Sequence, residues 1–434
     1  MPEPSPLQDP LPVLPVREPV VGAIRPPGSK SITNRALLCA ALADGESTLS
    51  GALKSDDTHA MVDGLSRLGF DVASTGEAGL RVGGRGGRTP AAEADLFVGN
   101  SGTTVRFLTA MLALARGRYR LDGIARMRQR PIGDLADALN RLGGAVRCES
   151  EGGCPPVVVE ASGLRGGEAP IRGDASSQFL SGLLMAAPFA ESPVTLSVQG
   201  ELVSKPYVTI TLKVMEAFGV AVDAAEDLSR FTIAPACYTA RHYEIEPDAS
   251  AASYFWAAAA ITGGRVRVEG LTAEALQGDV GFVELLALMG CEVQHDATSI
   301  TVTGGKLRGV TVDMNAVSDT AQTLAAVALF AEGPTRITGI AHNRLKETDR
   351  IEDLATELRR AGAQVETHED GLTIHPGPLR AVDFETYDDH RMAMSLALVG
   401  LRHPGVRIKD PSCTAKTYPD YFADLDRLVA SARK

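Results

Sequence analysis

A pattern of four positions occurs five times along the chain, and it restricts the possible folds more than any other feature. Leu65-x-x-Leu68-Gly69-x-x-Val72 returns at Leu139, Leu142, Gly143 and Val146, and again at Met215, Phe218, Gly219 and Val222. It returns twice more, at Leu286, Met289, Gly290 and Val293, and at Leu358, Ala361, Gly362 and Val365. Successive glycines lie ~70 residues apart, a longer period than that of common solenoids. Apolar residues four and one before the glycine mark one helical face. The glycine reads as a helix C-terminal cap, and the valine as the start of a strand. At the same interval six apolar helices open on small or polar residues: Ser29-Lys30-Ser31, Asn100-Ser101-Gly102-Thr103, Ser176-Ser177-Gln178, Asp248-Ala249-Ser250, Ser318-Asp319-Thr320 and Asp388-Asp389-His390-Arg391. Each unit therefore predicts strand–helix–strand–helix–strand. The first helix of each, as over 179–187 and 324–330, is apolar nearly all round and is expected in the interior. The N-termini of these helices would then converge, with six positive ends facing a shared region. Six such units suggest a globular α/β (α+β) build of two similar domains, three units in each.

Composition narrows the function classes. The 434 residues suffice for two or three domains with ample core. The first twenty carry seven prolines and no long apolar stretch, so they read as a tail and not as a signal peptide. No apolar run approaches the ~18 residues that span a bilayer. Six cysteines without Cys-x-x-Cys spacing argue for a reducing compartment and against a zinc site or disulfide framework. A net charge of −11 disfavours nucleic acid as the main partner, but a local basic cleft can still attract small anions.

Candidate chemistry gathers at the unit openings and in the loops after them. Lys30, Ser31 and Arg35 fall in the turn and first turns of a helix behind Pro27-Gly28, a good place for a phosphate or carboxylate. The spacing of Gly28 and Lys30 does not fit a nucleotide-binding P-loop. Asp56 and Asp57 read as caps of the following helix. Gly102, in Gly99-Asn100-Ser101-Gly102-Thr103-Thr104-Val105-Arg106, allows close backbone approach to a ligand. The run Arg126-Met127-Arg128-Gln129-Arg130-Pro131 reads mostly as a solvated face, with Arg130 held extended before the proline. Ser176, Ser177 and Gln178 cap or bind; Ser204-Lys205-Pro206-Tyr207 lies in the matching loop of the third unit. Asp319 opens a helix, and Lys346 and Arg350, four apart, would share a helical face, with Glu347 next to Lys346. Asp389-His390-Arg391 opens the sixth helix, and Lys416 follows Cys413-Thr414-Ala415. Taken singly, each also fits an ordinary cap or surface ion pair. Together, at least six cations fall at equivalent ends of a repeated unit, beside two carboxylates suited to acid–base work.

The motifs PGSKSITNR (27–35), GNSGTTVR (99–106), RPIGDL (130–135), SSQF (176–179), SKPY (204–207), LKETDR (345–350), DDHRMAMS (388–395) and CTAKTYPDYF (413–422) resemble the 5-enolpyruvylshikimate-3-phosphate synthase (3-phosphoshikimate 1-carboxyvinyltransferase) family. The resemblance covers essentially everything after the proline-rich segment. It implies an inside-out α/β barrel arrangement of two domains, each of three βαβαββ repeats with buried parallel helices. Domain I would comprise 1–26, with 1–20 as the tail, and 245–434; domain II would comprise 27–244. The active site would lie in the cleft between them. It further implies transfer of the enolpyruvyl group of phosphoenolpyruvate to the 5-hydroxyl of shikimate 3-phosphate through a tetrahedral ketal, with phosphate released, in aromatic amino acid biosynthesis.

Carried onto this sequence, the resemblance implies that Lys30, Ser31, Arg35, Ser176, Ser177, Gln178, Ser204, Tyr207, Asp319 and Lys346 hold shikimate 3-phosphate. Lys30, Asn100, Gly102, Arg130, Gln178, Glu347, Arg350, His390, Arg391 and Lys416 would hold or line the site for phosphoenolpyruvate. Asp319 would accept the 5-hydroxyl proton, and Glu347, assisted by Lys30, would exchange a proton with the methylene carbon. No metal or organic cofactor is implied, nor a nucleic acid or membrane partner. The expected form is a cytoplasmic monomer whose domains close on substrate. Gly102 and Thr103 match the family's glyphosate-sensitive pattern. One position departs: where many members carry Asn four residues before the lysine of the Lys-Glu-Thr-Asp-Arg motif, this chain has His342, with Asn343 one residue later. The sister transferase acting on UDP-N-acetylglucosamine carries a reactive Cys on a loop that here, over 123–130, has none. A non-catalytic relative would be expected to lose Lys30, Asp319 or Glu347.

Overall fold

The computed structural model describes residues 7–434. The chain forms two compact units, Met1–Pro27 with Pro247–Lys434, and Gly28–Glu246. Among the described residues each unit contains three small sheets, and five of the six share one plan. In the Gly28–Glu246 unit, strand Glu93–Phe97 runs parallel to Arg116–Asp122, with helix Gly102–Leu112 between them in sequence. Arg116–Asp122 then pairs antiparallel with Cys154–Ser162, with Leu121 opposite Val157, and Val146–Ser150 closes the sheet. Gly167–Arg172, Val194–Gln199, Arg230–Ile233 and Asp223–Ala224 repeat that order. The remaining repeat borrows its first strand from the far end of the unit: His242–Glu244 lies parallel to Asp44–Ser50, which pairs with Gly79–Arg85 and through it with Asp71–Ser74.

The other unit follows the same rule. Val21–Ile24 lies parallel to Arg265–Glu269, next to Ser299–Thr303 and Glu292–His295. Thr311–Asp313, Thr335–Thr338, Gly371–His375 and Gln364–His368 form the second sheet. The last repeat has only Val382–Phe384 parallel to Val406–Ile408, and its third strand is Leu11–Pro12, with Leu11 opposite Ile408. Part of the expected tail is thus packed against the sixth repeat. Val13 donates its N–H to the Val406 carbonyl at 3.0 Å, and Val13 and Val20 are buried. A strand of only Leu11 and Pro12 has no periodicity to read, and the sheet edge of the sixth repeat supplies its hydrogen bonds. Residues 1–6 of the expected tail lie outside the described residues.

The repeated glycines do what their spacing predicts. Helices Asp56–Arg67, Gly133–Arg141, Lys205–Ala217, Phe282–Leu288 and Glu352–Arg360 each end within two residues of one. Gly69, Gly143, Gly219, Gly290 and Gly362 all have positive φ, from 87° to 110°. Side chains avoid that region, so glycine ends the helix there at least cost. Val72, Val146, Val293 and Val365 then lie in strands, and Val222 immediately precedes one.

The first helix of each repeat forms the interior. Every residue of Ala249–Thr262 is buried, Trp256 among them. Each large apolar side chain so buried contributes roughly 1.5–3 kcal/mol. In this unit Ser253, Thr323 and Ser395, one from each inner helix (Ala249–Thr262, Ala321–Ala328 and His390–Ala397), hydrogen-bond in a row at 3.1 and 3.3 Å. In the Gly28–Glu246 unit, Arg35 of helix Lys30–Leu42 reaches Ser181 of helix Ser177–Ala186, while Gly182 lets that helix approach Gly102–Leu112. No helix among the described residues is long and apolar enough to cross a membrane.

Candidate active site

In the Gly28–Glu246 unit the inner helices open on serine caps. Ser29, Ser101 and Ser176 accept from the N–H groups of Ile32, Thr104 and Gln178. Each cap contributes about 1 kcal/mol and leaves the other first-turn N–H groups pointing outward. Lys30 is the first helical residue after its cap, and its Nζ lies 3.3 Å from Asp57 Oδ2. Asp57 therefore does not serve as the expected cap: Ser55 takes that place, and Asp57, nearly fully buried, holds the lysine. The Asp57 carbonyl also accepts from Thr104 Oγ1 at 3.4 Å, which ties the lysine to the start of the second inner helix.

Gly102 opens that second helix, directly beneath Arg130. A Cβ on Gly102 would come within 2.6 Å of Arg130 Nη2. Arg130 Nη1 donates to the Asn100 carbonyl at 2.9 Å and to its side-chain oxygen at 3.3 Å. The basic run divides: Arg130 is buried, whereas Arg128 is half exposed and paired with Asp122. Gln178 donates to Thr103 Oγ1 at 3.2 Å and accepts from Arg106 Nη1 at 2.6 Å. Arg106 also donates to the Pro131 carbonyl, joining two inner helices to the Arg130 turn. Sequence reading left Arg106 out of the site; its place inside the Gly99–Arg106 motif was the only available signal.

Arg35 sits deeper. It donates to Thr211 Oγ1, Ser181 Oγ and the carbonyls of Ser31 and Tyr207, and its guanidinium lies over the Phe107 ring. Burial lowers its pKa to about 10, so it stays charged at neutral pH. Arg35, Ser31 and Tyr207 are thereby brought together. Ser204 precedes helix Lys205–Ala217 with φ of +53°, and its carbonyl accepts from the Tyr207 N–H. Ser177 is buried at the start of its helix, with Ser176 and Gln178 partly exposed beside it.

The other unit gathers the remaining candidates into one charge network. Asp319 Oδ2 accepts from Arg391 Nη2 at 2.6 Å; its Oδ1 lies 3.5 Å from Arg350 Nη1 and 3.8 Å from Lys346 Nζ. Glu347 bridges Lys416 at 2.8 Å and Arg350 at 2.9 Å. Asp389 takes two bonds from Arg350, at 2.7 and 3.1 Å, and also caps the helix by accepting the Arg391 N–H at 2.8 Å. Burial opposes the charge on Arg350, but Asp389 and then Glu347 more than offset it and hold the guanidinium above its ordinary range. His390, the first residue of the same helix, is buried with Nδ1 3.8 Å from Asp389.

Two local expectations differ from what is found. Asp319 does not cap a helix: it lies in a 3-10 turn, Asn315–Thr320, that precedes Ala321–Ala328, and Val317 in that turn is non-helical. Lys346 and Arg350 do not share a helical face, because helix Glu352–Arg360 begins after both; they meet at Asp319 through an irregular loop instead. His342 and Asn343 both turn onto Ser318, the residue before Asp319: His342 Nε2 lies 3.0 Å from the hydroxyl, and Asn343 Nδ2 donates to the carbonyl at 2.9 Å. At the departing motif position the pair braces the Asp319 turn. Burial, and then Lys346, push the His342 ring down to about 3, so it is neutral at pH 7.

Four cations thus surround three carboxylates in this unit, and capped helix ends with Lys30 and Arg130 line the other. Such surfaces suit small, multiply charged anions, and their carboxylates can exchange protons with a bound hydroxyl or carbon.

A model of the family described as EPSP synthase (3-phosphoshikimate 1-carboxyvinyltransferase) matches residues 15–425. The chain is 49% identical over 417 residues to a 3-phosphoshikimate 1-carboxyvinyltransferase of Nostoc punctiforme, covering 95% of this chain and 98% of that protein. It is 50% identical over 416 residues to the protein of that name from Thiobacillus denitrificans, covering 94% and 97%. A solved structure of EPSP synthase from Acinetobacter baumannii superposes with a TM-score of 0.81 at 26% identity, over 97% of this chain and 98% of the other. With its repeats, its capped inner helices and its charge network, the chain belongs to the EPSP synthase family.

Proposed function

We propose that the chain transfers the enolpyruvyl group of phosphoenolpyruvate to the 5-hydroxyl of shikimate 3-phosphate, releasing phosphate, in the route to aromatic amino acids. The observation that carries this reading is the network in which Asp319 and Glu347 meet Lys346, Arg350, Arg391 and Lys416. Two anions that repel one another need a surplus of fixed cations, and an addition–elimination needs groups that move protons.

In the addition step the 5-oxygen bonds to C2 of phosphoenolpyruvate. Its proton passes to Asp319, and C3 gains a proton from Glu347 with Lys30 assisting. In the elimination step the C2–O bond to phosphate breaks, and C3 returns its proton. Lys30, Ser31, Arg35, Ser176, Ser177, Gln178, Ser204, Tyr207 and Lys346 bind shikimate 3-phosphate. Asn100, Gly102, Arg130, Gln178, Arg350, His390, Arg391 and Lys416 serve phosphoenolpyruvate, with Lys30 reaching both. The protein acts as a cytoplasmic monomer without a cofactor, and glyphosate competes with phosphoenolpyruvate.

The test is phosphate release from phosphoenolpyruvate with shikimate 3-phosphate or with UDP-N-acetylglucosamine as acceptor. Turnover with the first alone is expected, and Asp319→Asn should lower it about 100-fold. Turnover with the second acceptor would overturn the assignment, and near-full activity of Asp319→Asn would remove that residue's role.

A further inference from the structure

Glu357 lies on helix Glu352–Arg360, is 1% exposed, and belongs to none of the motifs above. Its carboxylate is engaged by two residues of one short stretch of chain and by Arg360 of its own helix. Oε2 accepts from the Glu385 N–H at 3.0 Å and from Arg360 Nη1 at 2.6 Å, and Oε1 accepts from the Tyr387 hydroxyl at 2.9 Å. The stretch it grips is unusual. Tyr387 and Asp388 are consecutive non-glycine residues with φ of 56° and 54°. L-residues adopt that conformation only where the surroundings impose it. Immediately after it comes Asp389, whose N–H is bonded to the Thr386 carbonyl at 2.9 Å and whose carboxylate fixes both Arg350 and the first turn of the helix carrying Arg391.

We infer that Glu357 is a positioning residue for the phosphoenolpyruvate side of the site: by clamping Glu385 and Tyr387 it imposes the left-handed turn that aims Asp389, and through it Arg350 and Arg391. Glu357 touches none of the groups assigned to substrate, so its effect passes through the turn. This inference rests on the assignment of Arg350 and Arg391 to phosphoenolpyruvate.

The geometry dictates which replacement restores function. Glutamine keeps one carbonyl oxygen for the Glu385 N–H and Arg360, and its amide can donate to the Tyr387 oxygen. Alanine loses all three bonds. Tyr387→Phe loses one and leaves the buried carboxylate in place. Initial rates with each substrate varied in turn, for wild type, Glu357→Ala, Glu357→Gln and Tyr387→Phe, together with urea midpoints, test the idea. The expected result is a rise of about tenfold in the phosphoenolpyruvate KM for Glu357→Ala, a smaller rise for Tyr387→Phe, and a near-wild-type value for Glu357→Gln. The shikimate 3-phosphate KM should stay within about twofold throughout. Equal rises in both constants, or a lower urea midpoint with neither constant changed in Tyr387→Phe as well as Glu357→Ala, would overturn it and leave Glu357 a stability residue. A wild-type protein without turnover would bring down the functional reading and this inference together, a result distinct from the other two.

Discussion

Arg130 and Gly102 show how little room single residues have. The guanidinium lies where a Cβ at position 102 would be, at 2.6 Å. A methyl group there must push Arg130 off its Asn100 contacts, since no heavy atoms approach that closely without moving. Gly102→Ala should therefore raise the phosphoenolpyruvate KM about tenfold with little change in the shikimate 3-phosphate KM. Steady-state kinetics with each substrate varied would check this, and an unchanged phosphoenolpyruvate KM would mean that Arg130 does not serve that ligand. His342 offers a residue-scale test through pH. Its ring has a pKa of about 3 in the fold against an ordinary 6.5, lowered first by burial and next by Lys346. The unfolded chain therefore binds a proton that the folded chain refuses. Stability from this group is complete above pH 6.5 and is lost as pH falls toward 3. His342→Gln should flatten the acid side of the stability curve by up to ~1.4 kcal/mol per pH unit within that window. Urea unfolding at several pH values measures this, and parallel curves would contradict it.

At the scale of elements, the five repeated glycines are the best-defined feature. Gly362 has φ of +110°, and a Cβ there would lie 2.3 Å from the Pro378 carbonyl oxygen, which is backbone and cannot swing aside. Gly362→Ala should cost at least about 2 kcal/mol of stability, read as a lowered urea midpoint, and an unchanged midpoint would show that the helix ends otherwise. These glycines were legible in the sequence because a helix end imposes its own local chemistry. The inner helices were legible for a similar reason: a helix apolar all round has nowhere to go but the interior. What could not be read was pairing between elements distant in sequence. Asp57 looked like a cap because acidic residues favour a first turn, yet its partner Lys30 is set by how two helices pack. Arg106 with Gln178, and Glu357 with Tyr387, are contacts of the same kind. The 3-10 turn around Asp319 was missed because its irregularity comes from His342 and Asn343 gripping Ser318 from another loop.

At the scale of the whole molecule, the duplicated plan explains how chemistry accumulates on so few residue types. Each repeat delivers a helix N-terminus, and serine caps one set while Asp248 and Asp389 cap members of the other. Residues 9–12 belong to this plan, since Leu11–Pro12 completes the sixth sheet and Asp9 accepts the N–H of Asp410, the residue that opens the turn carrying Lys416. The central proposal is that Lys30 and Lys416 both serve phosphoenolpyruvate. Its most direct test is phosphoenolpyruvate affinity, by calorimetry on the enzyme without shikimate 3-phosphate so that no turnover occurs, for wild type, Lys30→Ala and Lys416→Ala. The account predicts that each variant alone weakens binding at least about tenfold while both remain folded. Full affinity in either variant would contradict it.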